Sequence, residues 1–245
     1  MTTNTPLGLD HVKPEDVEAY KLNYAAHDVG KGLNDVIQYY NKWAQKGTYE
    51  QVLCPGRYNG PQIAAQVVEK YFGDTKEDAN ILDVAAGTGL VGEKLRERGF
   101  SKMDALEPAK AMLAIATAKN IYTKCIQDSL DRHGTSIEND TYDVLVISGG
   151  MGEGHIPTVA LTEMIRLVKP GGCVCIVMRQ EYLAYVAEYT DRLEPCMDQL
   201  VDLGWWKREE RTVVPNYSFG KPGVVFVYRV NRCGAPPVTC LTLKQ

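Results

Sequence analysis

Four positions in the stretch LDVAAGTGLVG (82–92) have the residue types and spacing of a ligand-binding turn: Asp83, Gly87, Gly89 and Gly92. The glycines form G-x-G-x-x-G, in which backbone N–H groups approach a ligand that side chains would hold off. Asp83 precedes Gly87 by four residues and lies within the short apolar run ILDVAA (81–86). Glu107 lies twenty residues beyond Gly87, the spacing of an acid that accepts hydrogen bonds from ribose hydroxyls. Two ligands meet these terms. One is the nicotinamide dinucleotide NAD(P) of a reductase, and the other is S-adenosylmethionine. The glycines and the ribose acid leave both open.

Charge separates them. A pyrophosphate is anionic, and a carboxylate at position 83 repels it. S-adenosylmethionine carries a sulfonium and an ammonium and no phosphate, so Asp83 is favourable beside it. CIQDS (125–129) adds Asp128 just past a strand candidate, where a carboxylate can accept from an adenine amino group. Asp83 as a strand-end cap, Glu107 as an ordinary acid at a helix start and Asp128 as a loop acid are the structural alternatives. His155, in GGMGEGHIP (149–157), is the candidate catalytic residue. An imidazole near neutral pKa could take a proton from a nucleophile, a contribution of about 10²–10⁴ in rate. Its alternative is to cap a helix starting near Pro157. Glu153 reads as an orienting carboxylate, and Arg179 and Tyr217 as further substrate contacts. Tyr40, Trp43 and Tyr49 fall at roughly helical spacing. They read equally as packing or as aromatic faces over a cationic ligand, an attraction of about 1–2 kcal/mol when desolvated.

The elements that must position these residues alternate. After a helical, aromatic-rich segment over 1–60, strands are expected at 81–86, 103–107, 122–127, 142–148 and 173–179. Helices are expected between them, one opening with Pro108 at its first position and one over 157–168 that stops at the turn signal KPGG (169–172). A long helix is expected over 181–203. Two closing strands, WKREERTVV and GVVFVYRV, are joined by the loop PNYSFGKP (215–222). This alternation predicts an α/β fold, a mostly parallel sheet with helices on both faces and an antiparallel pairing at one edge. Ligands then bind outside the carboxyl ends of the strands, where LDVAAGTG lies. The last residues, 231–245, have no period and read as a tail.

The whole series resembles the class I, seven-strand S-adenosylmethionine-dependent methyltransferases, and within them the methyltransferase-like family of the Williams–Beuren syndrome region. YNKWAQKGTYEQV (40–52), the Tyr58–Pro61 pairing, ILDVAAGTGLVGEKLRERGF, YDVLVISGGMGEGHIP and EMIRLVKPGGCVCIVMR carry the resemblance. It implies a Rossmann-like α/β/α sandwich with a seven-stranded sheet over 61–232, an N-terminal helical lid over 1–60 and a tail over 233–245. It also implies methyl transfer with S-adenosylhomocysteine as product. By resemblance Asp83, Gly87 and Gly89 line the methionyl part, Glu107 with Pro108 binds the ribose, and Asp128 and Ser129 flank the adenine. Ser148 and Gly149 close the site, and Tyr58 touches the cofactor. Ala85 stands where a glycine is frequent, and Glu107 where relatives often carry Asp.

Composition narrows the partners. A net charge of −4, with no Lys/Arg run, argues against a sequence-independent grip on nucleic acid. No stretch approaches the ~20 apolar residues of a membrane span. The start lacks a basic region followed by an apolar run, so no signal peptide is expected. Seven scattered cysteines read as buried thiols of a reducing cytoplasm. The four histidines have no metal-binding spacing, and no acid cluster suggests a divalent metal. SGGM after the fourth strand is not the N-P-P-Y motif of enzymes that methylate adenine or amide nitrogens. A small-molecule acceptor is the remaining expectation, against a non-catalytic cofactor-binding module as its rival. The oligomeric state is not legible.

Overall fold

The computed structural model describes residue 9 and residues 12–236. The chain enters through three helices, α1 (Val17–Tyr24), α2 (Leu33–Gln45) and α3 (Tyr49–Val52), and continues into α4 (Gly60–Phe72). Strands and helices then alternate: β1 (Ile81–Val84), α5 (Leu90–Glu97), β2 (Met103–Leu106), α6 (Lys110–Ala118), β3 (Lys124–Ile126) and β4 (Tyr142–Ser148). They are followed by α7 (Leu161–Leu167), β5 (Val168–Arg179), α8 (Tyr182–Tyr185), α9 (Leu193–Asp202), β6 (Trp206–Ser218) and β7 (Lys221–Val230).

The seven strands form one sheet in the order β3-β2-β1-β4-β5-β7-β6. The first five pair parallel, while β7 pairs antiparallel to both β5 and β6 at the closing edge. Burial on both faces follows from the period of two. Leu145 and Ile147 of β4 face Leu161, Met164, Leu193 and Met197 of α7 and α9. Val144 and Val146 join Ala64, Ala65, Val68, Val91 and Leu95 of α4 and α5 on the other face. The chain runs outward from β1 to β3 and returns on the far side at β4, so a crevice opens at the carboxyl ends of β1 and β4.

The N-terminal helices cover that end of the sheet. Tyr20, Tyr24, Trp43, Ala44 and Leu53 pack on Ala109 and Met112 at the start of α6 and on Phe219 between β6 and β7. Two backbone hydrogen bonds fasten the cover: Asn59 N–H to the Tyr217 carbonyl (2.9 Å) and Phe219 N–H to the Arg57 carbonyl (2.6 Å).

Four expectations are corrected. The helix expected over 181–203 is broken into α8 and α9, with Asp191 left-handed at φ +54° between them. Pro195 lacks a backbone N–H and is tolerated only in a first turn, so the helix restarts at Leu193. Before the restart, the Tyr189 hydroxyl turns inward to accept from Gly152 N–H (2.9 Å) and donate to the Ile156 carbonyl (2.7 Å). KPGG lies inside β5, whose pairing with β4 shifts register between Tyr142 and Val144, and Gly171 absorbs the irregularity at φ +86°. The expected loop 215–222 is mostly strand. Its turn is Phe219-Gly220, with φ of +50° and +77°, the two positive values a type I′ hairpin turn requires. Pro108 precedes α6, which begins at Lys110 behind an Ala109 cap. Most of the expected tail, 237–245, lies outside the described residues.

Among the described residues no helix is long and apolar enough to cross a membrane. Nor does any group of three or more His, Cys, Asp or Glu there have the placement to hold a metal ion.

Candidate functional site

The crevice is a cavity of about 1000 Å³, its open mouth included. Val84, Ala85 and Gly87 wall it from β1, Leu106, Glu107 and Pro108 from β2, and Asp128 and Ser129 from beyond β3. Ser148 and Gly149 close it from β4, while Tyr40, Tyr49 and Tyr58 cover it from the N-terminal segment. His27, His155, Arg179, Tyr182, Tyr217 and Ser218 also line it, with apolar side chains such as Val36, Ile37, Met151 and Ile156.

Glu107 is the buried acid of this wall, 5% exposed. Its Oε2 accepts from Gly87 N–H (2.8 Å) and its Oε1 from Ala109 N–H (2.7 Å). Burial pushes its pKa up to about 7, against the pull of those two N–H groups. A carboxylate offers about four acceptor sites, so two stay available for hydroxyl donors. Ala85 adopts φ +54° and Gly87 φ +58°, bending the chain away from β1 so that its backbone faces the cavity. For Ala85 that conformation costs about 1 kcal/mol. On β4, the Ser148 hydroxyl meets the Tyr58 hydroxyl at 3.0 Å, and a Cβ on Gly60 would lie 2.6 Å from the Ser148 oxygen. An acid with free acceptor sites, exposed backbone and an aromatic roof suit a nucleoside bearing a cationic tail.

Four expected residues lie outside the cavity wall. Asp83 shares the inward face of β1 with Ile81, beneath α5, and is 1% exposed. Its Oδ2 accepts from the Tyr122 hydroxyl (2.5 Å), and burial pushes it up to about 7 despite that bond. Gly92 is a glycine because a Cβ there would overlap the Tyr122 oxygen. Asp83 and Gly92 thus hold the turn from behind. Gly89, at φ +92°, caps α5 against the Tyr122 ring. Trp43 is buried behind the roof, with ring centroids 6.3 Å from Tyr40 and 4.9 Å from Tyr49. Glu153 points to the N-terminal segment and accepts from Gly30 N–H (3.2 Å).

His155 is on the wall with a defined tautomer. Its Nδ1 lies 2.7 Å from the Glu153 carbonyl, which can only accept, so Nδ1 carries the proton. Nε2 is then a lone pair and accepts from the Tyr40 hydroxyl (3.2 Å). The helix-capping alternative does not hold, because Glu188 Oε1 accepts from Thr158 N–H (2.8 Å). His27 stacks on His155 with centroids 4.4 Å apart and planes 15° from parallel. Burial lowers His155 to about 4 and His27 well below its usual range, and His27 is lowered further by His155 itself. Both rings are neutral at pH 7.

The expected residues Tyr40, Tyr49, Tyr58, Ala85, Gly87, Glu107, Pro108, Asp128, Ser129, Ser148, Gly149, His155, Arg179 and Tyr217 meet around one cavity. Sequence reasoning missed His27, Asn23, Tyr182 and Ser218. His27 sits in the unpatterned run AAH, and only its stacking on a ring 128 residues away marks it, a relation that no local spacing carries.

Comparison with known proteins bears on what this cavity holds. The sequence profile of the Methyltransferase domain family matches residues 57–218. The chain is 30% identical over 183 residues to methyltransferase-like protein 27 of Homo sapiens, covering 75% of this chain and 72% of that protein. It is 32% identical over 138 residues to the mitochondrial ubiquinone biosynthesis O-methyltransferase of Dictyostelium discoideum, covering 49% of this chain but 43% of that one. Among solved structures, the 1,6-didemethyltoxoflavin-N1-methyltransferase of Burkholderia thailandensis superposes with a TM-score of 0.56 at 15% identity, over 82% of this chain and 87% of that one. That last likeness is one of fold.

Proposed function

The chain belongs to the methyltransferase-domain family and is an S-adenosylmethionine-dependent methyltransferase, and from that premise we propose that it methylates a small molecule held beneath the N-terminal helices. The observation that carries the reading is the division of the cavity. Glu107, Asp128 and Ser129 stand at its β2–β3 end, and His27, His155, Arg179, Tyr182 and Tyr217 at the other. The relative from ubiquinone biosynthesis, an O-methyltransferase by name, supports a small acceptor.

In this reading Glu107 binds the ribose hydroxyls, Asp128 and Ser129 flank the base, and Ala85 to Gly87 offer backbone to the methionyl part. Asp83 and Gly89 act at one remove, by shaping that turn. S-adenosylmethionine, when bound, supplies a methyl group activated by its sulfonium, so in-line displacement needs alignment more than acid–base chemistry. Tyr40, Tyr49 and Tyr58 exclude water and present ring faces to the cation. His155 accepts a hydrogen bond at Nε2 from the acceptor's O–H or N–H, replacing Tyr40 and aligning the nucleophile. The N-terminal segment serves as the lid. Cys173 and Cys175, buried and free on β5, suit a reducing compartment such as the cytoplasm.

Calorimetry with S-adenosylhomocysteine is the first test, and no binding at millimolar ligand would end the proposal. Incubation with methyl-labelled S-adenosylmethionine and a metabolite extract tests the acceptor class. Label in small molecules is expected, and label appearing only in added protein or nucleic acid would refute it.

A further inference from the structure

The acceptor end of the cavity carries an uncompensated positive charge. Arg179, the last residue of β5, lines the cavity with only 3% of its surface exposed. Its guanidinium donates to Glu181 Oε1 (3.3 Å), Asn23 Oδ1 (3.2 Å) and Ser218 Oγ (3.1 Å). Two of those three oxygens are neutral. A guanidinium has five N–H donors, so further donors remain without a partner among the described residues.

Glu181 does not belong to Arg179 alone. Its Oε2 accepts from Lys221 Nζ at 2.6 Å, and Lys221 is itself 5% exposed. Among the described residues no other carboxylate is hydrogen-bonded to either cation. Two buried cations therefore share one anion. The Tyr20 ring lies 5.5 Å from each cation and the Tyr182 ring 5.8 Å from Arg179. Those faces soften the burial but bring no negative charge. A buried net charge is costly unless something pairs with it, and here a guanidinium that shares Glu181 with Lys221 faces an open cavity.

Its place in the sheet says which part of the cavity this is. From β2, which ends beside Glu107, to β5, which ends at Arg179, the order is β2-β1-β4-β5. Three strand spacings set them about 14 Å apart. The nucleoside acids and the guanidinium thus lie at opposite ends. S-adenosylmethionine adds a sulfonium and an ammonium against one carboxylate, a further net positive charge. A cationic acceptor would meet repulsion from both sides.

Resting on the methyltransferase reading above, we infer that the acceptor is a small carboxylic acid with an apolar or aromatic body, its carboxylate bound by Arg179. The walls around that position are His27, His155, Tyr182 and Tyr217, flat rings suited to such a body. Arg179 is then the specificity-determining residue, and Glu181 sets how much of its charge the ligand sees.

The test uses the full chain saturated with S-adenosylhomocysteine and three probe acids, benzoate, 3-phenylpropanoate and hexanoate, each against its neutral amide. Replacing a charge-assisted contact by a neutral one is expected to weaken binding about 10- to 100-fold, so the acids should bind at least tenfold tighter than the amides. Arg179→Met should abolish that preference, and Glu181→Gln, which frees the guanidinium, should widen it. Should Arg179→Met fail to fold, the wild-type comparison and Glu181→Gln decide. Equal binding of acids and amides, no binding of any acid, or a preference that survives Arg179→Met overturns the inference. So does an equal loss of S-adenosylhomocysteine affinity in Arg179→Met, which would give the guanidinium to the cofactor's own carboxylate. Wild-type S-adenosylhomocysteine binding is measured separately: if it is present while acids and amides bind alike, the inference fails and the methyltransferase reading stands.

Discussion

Glu107→Gln should make the ligand-free protein more stable at pH 8 and a worse binder of S-adenosylhomocysteine. The carboxyl is raised from 4.5 to about 7 by burial. The folded state therefore holds a proton that the unfolded chain has released between those values. Stability falls as pH rises through that window, and above it the full penalty of a buried carboxylate remains. A shift of that size corresponds to about 3 kcal/mol at pH 8, of which about 2 kcal/mol develops between pH 5.5 and pH 8. Glutamine keeps the shape and carries no charge. It loses one of the two backbone N–H contacts, at about 1 kcal/mol, a loss that is nearly the same at both pH values. The difference between variant and wild type should therefore grow in the variant's favour by about 2 kcal/mol from pH 5.5 to pH 8. In a chain of this size that is about 4–8 °C in Tm.

Binding should move the other way. Ribose hydroxyls donating to an ionised carboxylate are charge-assisted, and their loss should weaken S-adenosylhomocysteine about 10- to 100-fold at pH 8. Thermal unfolding at the two pH values, with calorimetry alongside, reads both quantities. General damage to the fold would lower stability and affinity together at either pH. A variant whose Tm gap to wild type is the same at pH 5.5 and pH 8 would refute the claim that Glu107 titrates near neutrality.

Tyr122→Phe removes the hydroxyl that Asp83 accepts from; with Asp83 pushed up to about 7, the loss should be about 1–3 kcal/mol at pH 8 and smaller at pH 5.5, read by denaturant unfolding at both. His155→Gln should flatten the acid limb of the stability curve. The folded ring titrates at about 4 against 6.5 unfolded, so it contributes stability that is lost as pH falls between those values, about 3 kcal/mol by pH 4. An unchanged difference between variant and wild type from pH 7 to pH 4.5 would contradict this. Trp43→Phe should cost about 1–3 kcal/mol of stability yet leave S-adenosylhomocysteine affinity within about twofold, because the indole packs behind the roof; a tenfold loss of affinity would put Trp43 in the site.

The legible part of the fold was the part written in local period. ILDVAA, MDALE and YDVLVIS are short apolar runs bounded by turn residues, and each lies on a strand of the sheet. The illegible part depended on distant partners. Pro195 is the one local sign of a break before Leu193, whereas the course of 186–192 follows from the Tyr189 hydroxyl and its contacts with Gly152 and Ile156. PNYSFGKP has the composition of a loop, but β7 and the Tyr58–Ser218 bridge hold most of it extended. The acceptor side was the hardest to read. Arg179 is visible as the end of an apolar run, whereas the charge imbalance around it exists only once Glu181, Lys221, Asn23 and Ser218 converge.

Asp83 shows how a correct conclusion can rest on a residue with a different task. Sequence reasoning used its charge to choose a cationic ligand over a pyrophosphate, taking it to touch that ligand. In the fold it lies behind the turn, on the Ile81 face of β1, close enough to Glu107 for that charge to disfavour its ionisation. The choice of ligand survives because the electrostatic argument needs proximity, not contact. Two buried carboxyls poised near neutrality make a poor setting for a pyrophosphate and a favourable one for a sulfonium or an ammonium, which would pull both towards ionisation. Cofactor binding should therefore release protons. Calorimetry of S-adenosylmethionine, which carries the sulfonium, at pH 7 in buffers of different ionisation enthalpy should give observed heats that differ by close to one proton released per ligand bound, and about none at pH 9, where both carboxyls are already ionised. Buffer-independent heats at pH 7 would show that neither carboxyl responds to the ligand's charge.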